Sequence, residues 1–159
     1  MHSEHFHHLN QPVQVQRLGQ KRIGTQLVGH LDFVVEIMER SDTREQQILL
    51  VEDNDDDVLL IMRAFQRAGV KRRVQAVTTG IDAIAYLKGD APFDDRAKYP
   101  LPGLVLLDIK MPGTDGFDVL RWIRQQLKYS HLCVVMLTSS DLIRDVNQAY
   151  RLGADSFLV

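Results

Sequence analysis

The chain has 159 residues, 45% of them hydrophobic and 25% charged, with a formal net charge of -2 and a single cysteine. These values suit one soluble α/β domain able to bury a core without disulfides or metal staples. They offer no basic footprint for direct nucleic acid binding, no internal disulfide and no apolar run for a membrane helix, so a cytoplasmic protein is expected.

Residues 1–47 read as an N-terminal extension, largely flexible. Met1 to Gly24 is polar, rich in His and Gln, and has no sustained period. His2, His5, His7 and His8 are metal-capable, yet no fixed ligand pair is identifiable, so they read as a solvated tail. Leu27, Leu31, Val34, Val35 and Met38 recur at helical spacing, which predicts a short amphipathic helix over 27–38. A translation start at Met38 is an equal reading, with Glu39 to Gln47 as a polar lead-in. Residues 1–37 are expected to be dispensable for stability, since that one stripe is their only core-forming pattern.

From Ile48 the pattern becomes regular. Ile48-Leu49-Leu50-Val51 is a continuous apolar run, as in a strand buried on both faces of a parallel sheet. After an acidic loop, Val58, Ile61, Phe65 and Ala68 mark a helix that stops at Gly69. Val74 to Thr79 predicts a second strand ended by Gly80, followed by a short helix on Ile81, Ile84 and Leu87. Gly89, Pro92, Pro100 and Pro102 make 88–102 a long loop. Leu104 to Leu107 is the third strand, ending on Asp108, with turn chemistry at Met111-Pro112-Gly113 and Asp115-Gly116. Phe117, Leu120, Ile123 and Leu127 form the next helical stripe. Cys133 reads as a buried small hydrophobe, and Val134 to Leu137 as the fourth strand, ending on Thr138. Asp141 caps a helix carrying Leu142, Val146 and Ala149, which stops at Gly153, and Ser156 to Val159 opens a fifth strand. Strands alternating with helices predict a parallel sheet with right-handed crossovers.

Ligands of such sheets collect outside the carboxyl ends of the strands. Glu52 and Asp53 follow the first strand, Asp108 ends the third and Thr138 the fourth. Singly, each has a plainer explanation: Glu52 and Asp53 as loop acids capping the next helix, Asp108 as a turn residue before Pro112, Thr138 as an ordinary strand end. Jointly they describe one cleft. Converging carboxylates repel one another unless a cation sits among them, and hard oxygen donors suit Mg²⁺ and phosphoryl transfer.

The segments Leu50-Val51-Glu52-Asp53-Asn54, Leu106-Leu107-Asp108-Ile109-Lys110-Met111-Pro112-Gly113-Thr114-Asp115-Gly116, Leu137-Thr138-Ser139-Ser140 and Gly153-Ala154-Asp155-Ser156-Phe157 resemble successive motifs of response-regulator receiver domains. Order and spacing fit over residues 48–159, and the long loop before the third strand is similar to that of stand-alone receivers serving bacterial phytochromes. The resemblance implies a doubly wound, flavodoxin-like five-stranded parallel sheet of order 2-1-3-4-5. It implies two-component phosphorelay signalling: Asp108 takes a phosphoryl group from a sensor histidine kinase or phosphotransfer protein. Asp53 would bind Mg²⁺ directly, Glu52 through water, and the Lys110 carbonyl would add a ligand. Thr138 would hydrogen-bond the phosphoryl group, Phe157 would be the aromatic switch, and Lys110, Ser139 and Ser140 would tune access and lifetime. Such a domain is a phospho-acceptor rather than an enzyme with a separate substrate.

The family also carries a Lys three residues after the switch aromatic and a final helix, whereas this sequence ends at Val159. The expectation is therefore an incomplete receiver, with a docking module that takes no phosphoryl group as the alternative. Other chemistries fit less well. Asp53, Asp55 and Asp57 match the first ligands of an EF-hand, but Val58 stands at the required Gly and Ala64 at the bidentate Glu. A phosphatase with an Asp nucleophile would want a second Asp where Lys110 stands. A flavin site would want glycines or hydroxyls where five acids lie between Glu52 and Asp57.

Overall fold

Ile48, Leu49, Leu50 and Val51 have no exposed surface, so the first apolar run is covered on both faces, as its lack of alternation requires. The computed structural model describes residues 47–137 and 143–158. Strands β1 (Ile48–Val51), β2 (Val74–Val77), β3 (Leu104–Asp108), β4 (Cys133–Leu137) and β5 (Ser156–Leu158) form one sheet. Their order is β2-β1-β3-β4-β5, every pairing parallel, as expected for a doubly wound fold. Between them, among the described residues, run α1 (Asp55–Arg67), α2 (Gly80–Lys88), α3 (Gly116–Gln125) and α4 (Ile143–Arg151), with a 3-10 turn at Leu127–Tyr129.

Side-chain alternation divides the core. Leu49, Val51, Val105, Leu107, Val134 and Met136 face one layer, where α2, α3 and α4 contribute Tyr86, Leu87, Leu120, Ile123 and Ala149. Ile48, Leu50, Leu104, Leu106, Val135 and Leu158 face the other, where α1 contributes Ile61, Ala64 and Phe65.

Helix starts show why the strand-end acids are free for other work. The side chains of Asn54, Thr79 and Asp115 accept hydrogen bonds from the N–H groups of Asp56, Asp82 and Asp118. Neither Glu52 nor Asp53 caps α1, which removes the plainer reading of both. Thr79 starts α2 rather than ending β2, and Gly80 packs tightly: an added Cβ there would meet the Thr114 carbonyl oxygen at 2.5 Å.

Some apolar residues are placed differently from their periodicity. Leu127 is 93% exposed, because α3 stops at Gln125 and the 3-10 turn changes the period; Val119 is buried with the stripe instead. Ile81 is 67% exposed, while Ala83, Tyr86 and Leu87 make the buried face of α2. Ala68 is an exposed C-cap, and Cys133 is half-buried at the start of β4. The predicted helix 27–38, the His-rich segment and the Asp141 cap lie outside the described residues.

The long loop is anchored at the amino end of the sheet. Buried Gln47 donates its side-chain amide to the Tyr86 hydroxyl and to the Pro100 carbonyl, and its own carbonyl accepts from Gly103 N–H at 3.0 Å. Tyr86, Phe93 and Tyr99 pack with ring centroids 5.1 to 6.0 Å apart. Arg96 donates to the carbonyls of Tyr86, Leu87 and Tyr99. Among the described residues, no helix is long and apolar enough to cross a membrane.

Candidate functional site

The parallel register pairs Val51 with Leu107, so the residues that follow them, Glu52 and Asp108, leave the sheet side by side. Carboxylate oxygens of Glu52, Asp53 and Asp108 lie within 4.8 Å of one another. Glu52 is buried, Asp108 half-buried and Asp53 exposed, so the cluster runs from the sheet outward to solvent. Main-chain donors orient two of the three: Asn54 N–H donates to Glu52 Oε1 at 3.1 Å, and Lys110 N–H to Asp108 Oδ2 at 3.0 Å.

Confinement raises the proton affinity of these groups. Burial pushes the Glu52 carboxyl up to about 7, the Asn54 N–H opposes it, and the charges of Asp108, Asp57 and Asp53 add to the rise. Burial also raises Asp108, against the pull of the Lys110 and Ile109 N–H groups, with Asp53 and Asp57 again contributing. A cluster of hard oxygen donors under mutual repulsion is chemically matched to a small divalent cation.

The β3–α3 loop folds back onto this cluster. Buried Ile109 and Met111 hold its inner side, and the Ile109 carbonyl accepts from Gly116 N–H at 3.1 Å. Gly113 turns the chain with φ of +79°, a left-handed conformation that side chains disfavour.

The structure thus joins Glu52, Asp53, Asp108 and the Lys110 main chain; the Lys110 residue itself is exposed. Phe157 stands elsewhere, paired with Met136 on β5, two strands from β3, and packed against the larger core cluster. Thr138, Ser139 and Ser140 lie outside the described residues, although Asp108 pairs with Leu137, the residue before Thr138. Sequence reading missed the charge of Asp57 at the site. Its position in the first turn of α1, four residues after Asp53, was the available signal. The close fit at Gly116 was also missed.

Residues 48–159 match the family model of the response regulator receiver domain. The chain is 38% identical over 112 residues to the probable methanogenesis regulatory protein FilR2 of Methanothrix harundinacea, covering 70% of each. It is 32% identical over 111 residues to response regulator Rcp1 of Synechocystis, covering 70% of this chain and 74% of that one. The crystal structure of the Mn²⁺-bound form of Rcp1 matches with a TM-score of 0.65 at 31% identity, covering 72% of this chain and 80% of Rcp1. The phosphorylated cyanobacterial phytochrome response regulator RcpA matches with a TM-score of 0.66 at 31% identity and the same coverages, 72% and 80%.

Proposed function

The chain belongs to the response regulator receiver domain family, and from that premise we propose that it takes a phosphoryl group onto Asp108 in two-component signalling. The donor would be a sensor histidine kinase or a phosphotransfer protein. The observation that carries this reading is the convergence of three carboxylates within 4.8 Å at the carboxyl ends of β1 and β3. Glu52, Asp53, Asp108 and the Lys110 carbonyl would hold Mg²⁺, which when bound offsets the negative charge that meets an incoming phosphoryl group.

The remaining chemistry belongs to the chain. The Lys110 N–H holds Oδ2 of Asp108 in place, and the Asp108 carboxylate would be the nucleophile. Its attack forms an O–P bond while the P–N bond to the donor histidine breaks, and the imidazole keeps the electron pair and gains a proton. Thr138 would donate its hydroxyl to a phosphoryl oxygen, and Phe157 would follow the movement of that loop. Ser139 would leave room for the group, while Lys110 and Ser140 would set its lifetime. A phosphorylated RcpA and a Mn²⁺-bound Rcp1 support both parts of the reading on the same fold.

Incubation with acetyl phosphate, with and without Mg²⁺, followed by intact mass measurement tests it. The expected product carries one phosphoryl group, is sensitive to hydroxylamine, needs Mg²⁺ and is absent from Asp108→Asn. Normal uptake by the Asn variant would refute the acceptor assignment. Absence of uptake by the parent would leave a docking module only.

A further inference from the structure

The start of α2 supports the loop that leaves β3 for α3. A Cβ on Gly80, the first residue of α2, would stand 2.5 Å from the Thr114 carbonyl oxygen. It would also stand 2.9 Å from Cγ2 of both Thr114 and Val119. The nearest of these atoms is main chain, so no side-chain rotation relieves the contact. Nor is α2 free to retreat. The Thr79 hydroxyl donates to Asp82 Oδ2 at 2.7 Å and accepts from Asp82 N–H at 3.0 Å, which fixes the first turn. At the other end of α2, Arg96 donates to the Tyr86 and Leu87 carbonyls at 2.9 and 2.8 Å, and the Tyr129 hydroxyl donates to the Leu87 carbonyl. Between the two ends, Ala83, Tyr86 and Leu87 have no exposed surface.

We propose that Gly80 is a positioning residue for the acceptor loop: its bare Cα lets the Thr114 carbonyl rest on the fixed start of α2, and this sets where Lys110 lies. The inference rests on the reading above, in which the Lys110 carbonyl is a Mg²⁺ ligand. Gly116 N–H donates to the Ile109 carbonyl at 3.1 Å, and Ile109 N–H donates to the Leu137 carbonyl at 3.0 Å. Residues 110–115 therefore form a closed arch whose two feet are tied to each other and to β4. Met111 is buried within the arch, in the core layer shared by α2 and α3, whereas Pro112 and Gly113 at its crest are exposed. Thr114 is the point at which the descending limb touches α2. A methyl group on Gly80 displaces that limb, and a short arch with fixed feet and close packing passes the strain to its other limb. There the Lys110 N–H holds Asp108 Oδ2 at 3.0 Å. Gly80 touches neither the metal ligands nor the acceptor; it acts through Thr114 and Lys110.

Gly80→Ala tests this in the full 159-residue chain, read by Mg²⁺ titration and by amide exchange of Lys110 without metal. Mg²⁺ affinity should fall by about tenfold, the lower end for residues that orient metal ligands. Lys110 exchange should quicken as its bond to Asp108 loosens. Ala83→Gly weakens the same helix without adding an atom, so it should lower the urea midpoint and leave Mg²⁺ affinity at the parent value. Unchanged exchange and affinity in Gly80→Ala would overturn the proposal, as would an equal loss of affinity in Ala83→Gly. Since the closest contact is main chain, adding Thr114→Ser and Val119→Ala should not rescue Gly80→Ala. Full rescue would place the effect in side-chain crowding and overturn it too. Should Gly80→Ala lose its fold, Thr79 decides. Thr79→Ala removes the cap of α2 and should weaken Mg²⁺ binding and quicken Lys110 exchange, whereas Thr79→Ser keeps the hydroxyl and should match the parent. Equal behaviour of those two variants overturns the proposal. A parent that binds no Mg²⁺ would refute the metal reading instead, and Lys110 exchange would still decide the role of Gly80.

Discussion

A methyl carbon added to Gly116 would stand 2.1 Å from the carbonyl oxygen of Asp108. The β3–α3 loop is therefore closed against the end of β3 at a distance that only glycine permits. The contact is backbone, with no flexible side chain to yield, so Gly116→Ala must displace the loop that carries the Lys110 N–H. Overpacking of this kind costs about 1–3 kcal/mol, and urea unfolding should show it together with weaker Mg²⁺ binding. Unchanged stability and affinity would mean that the loop adapts freely.

Glu52 makes stability depend on pH in a direction unusual for a carboxylate. Its folded value of about 7 lies above the ordinary 4.5, so the folded state holds more protons across that interval. Stability is then greatest below the lower value and declines as pH rises through the upper one, by at most about 3 kcal/mol. Glu52→Gln should flatten this decline, and added Mg²⁺, which favours the ionised form, should reduce it in the parent. Thermal melts between the two limits measure the slope; an equal slope in Glu52→Gln would place its origin elsewhere.

Asp53 and Asp57 both add negative charge near the site, but only Asp53 belongs to the cluster within 4.8 Å. Isothermal titration with Mg²⁺ should therefore separate them. Asp53→Asn should lose on the order of tenfold or more in affinity, equivalent to about 1.4 kcal/mol, and Asp57→Asn distinctly less. Equal losses would show that bulk charge, rather than ligation, governs binding.

Arg124 ties the starts of β4 and β5 together. It donates to the carbonyls of Gly153 at 2.8 Å and Leu132 at 2.9 Å and to Asp155 at 2.8 Å, while Asp155 also accepts from Val134 N–H at 2.8 Å. Arg124→Ala should cost roughly 1.5–3 kcal/mol, the range for hydrogen bonds to charged groups. Lys should rescue only part of it, because an ammonium lacks the planar fork that serves several acceptors at once. Full rescue by Lys in denaturant titrations would reduce Arg124 to a simple surface ion pair.

Strand positions and the acids that follow them were legible in the chain. A strand buried on both faces must be apolar at every position, and the first polar residue after it marks the rim, which is how Glu52 and Asp108 declare themselves. Helical faces were less legible. Leu127 continues the spacing of Leu120 and Ile123, but the α-helical period ends before it and turns it to solvent. Ile81 shares its spacing with Ile84, but the buried face of α2 runs through Gly80, Ala83, Tyr86 and Leu87 and leaves Ile81 in solvent.

Local pattern thus settled the order of elements and the acids that follow the strands, because apolar runs and helical periods are properties of a few adjacent residues, while the strand order came from the resemblance to receiver domains. Distances across the chain settled the rest. Whether Gly116 has room for a side chain depends on how a loop returns to β3. Whether Gln47 is linker or core depends on Tyr86 and Pro100, 39 and 53 residues away. How strongly Glu52 holds its proton depends on burial and on carboxylates delivered by another strand. Each is a contact or a field between groups remote in sequence, and periodicity carries no record of such pairs.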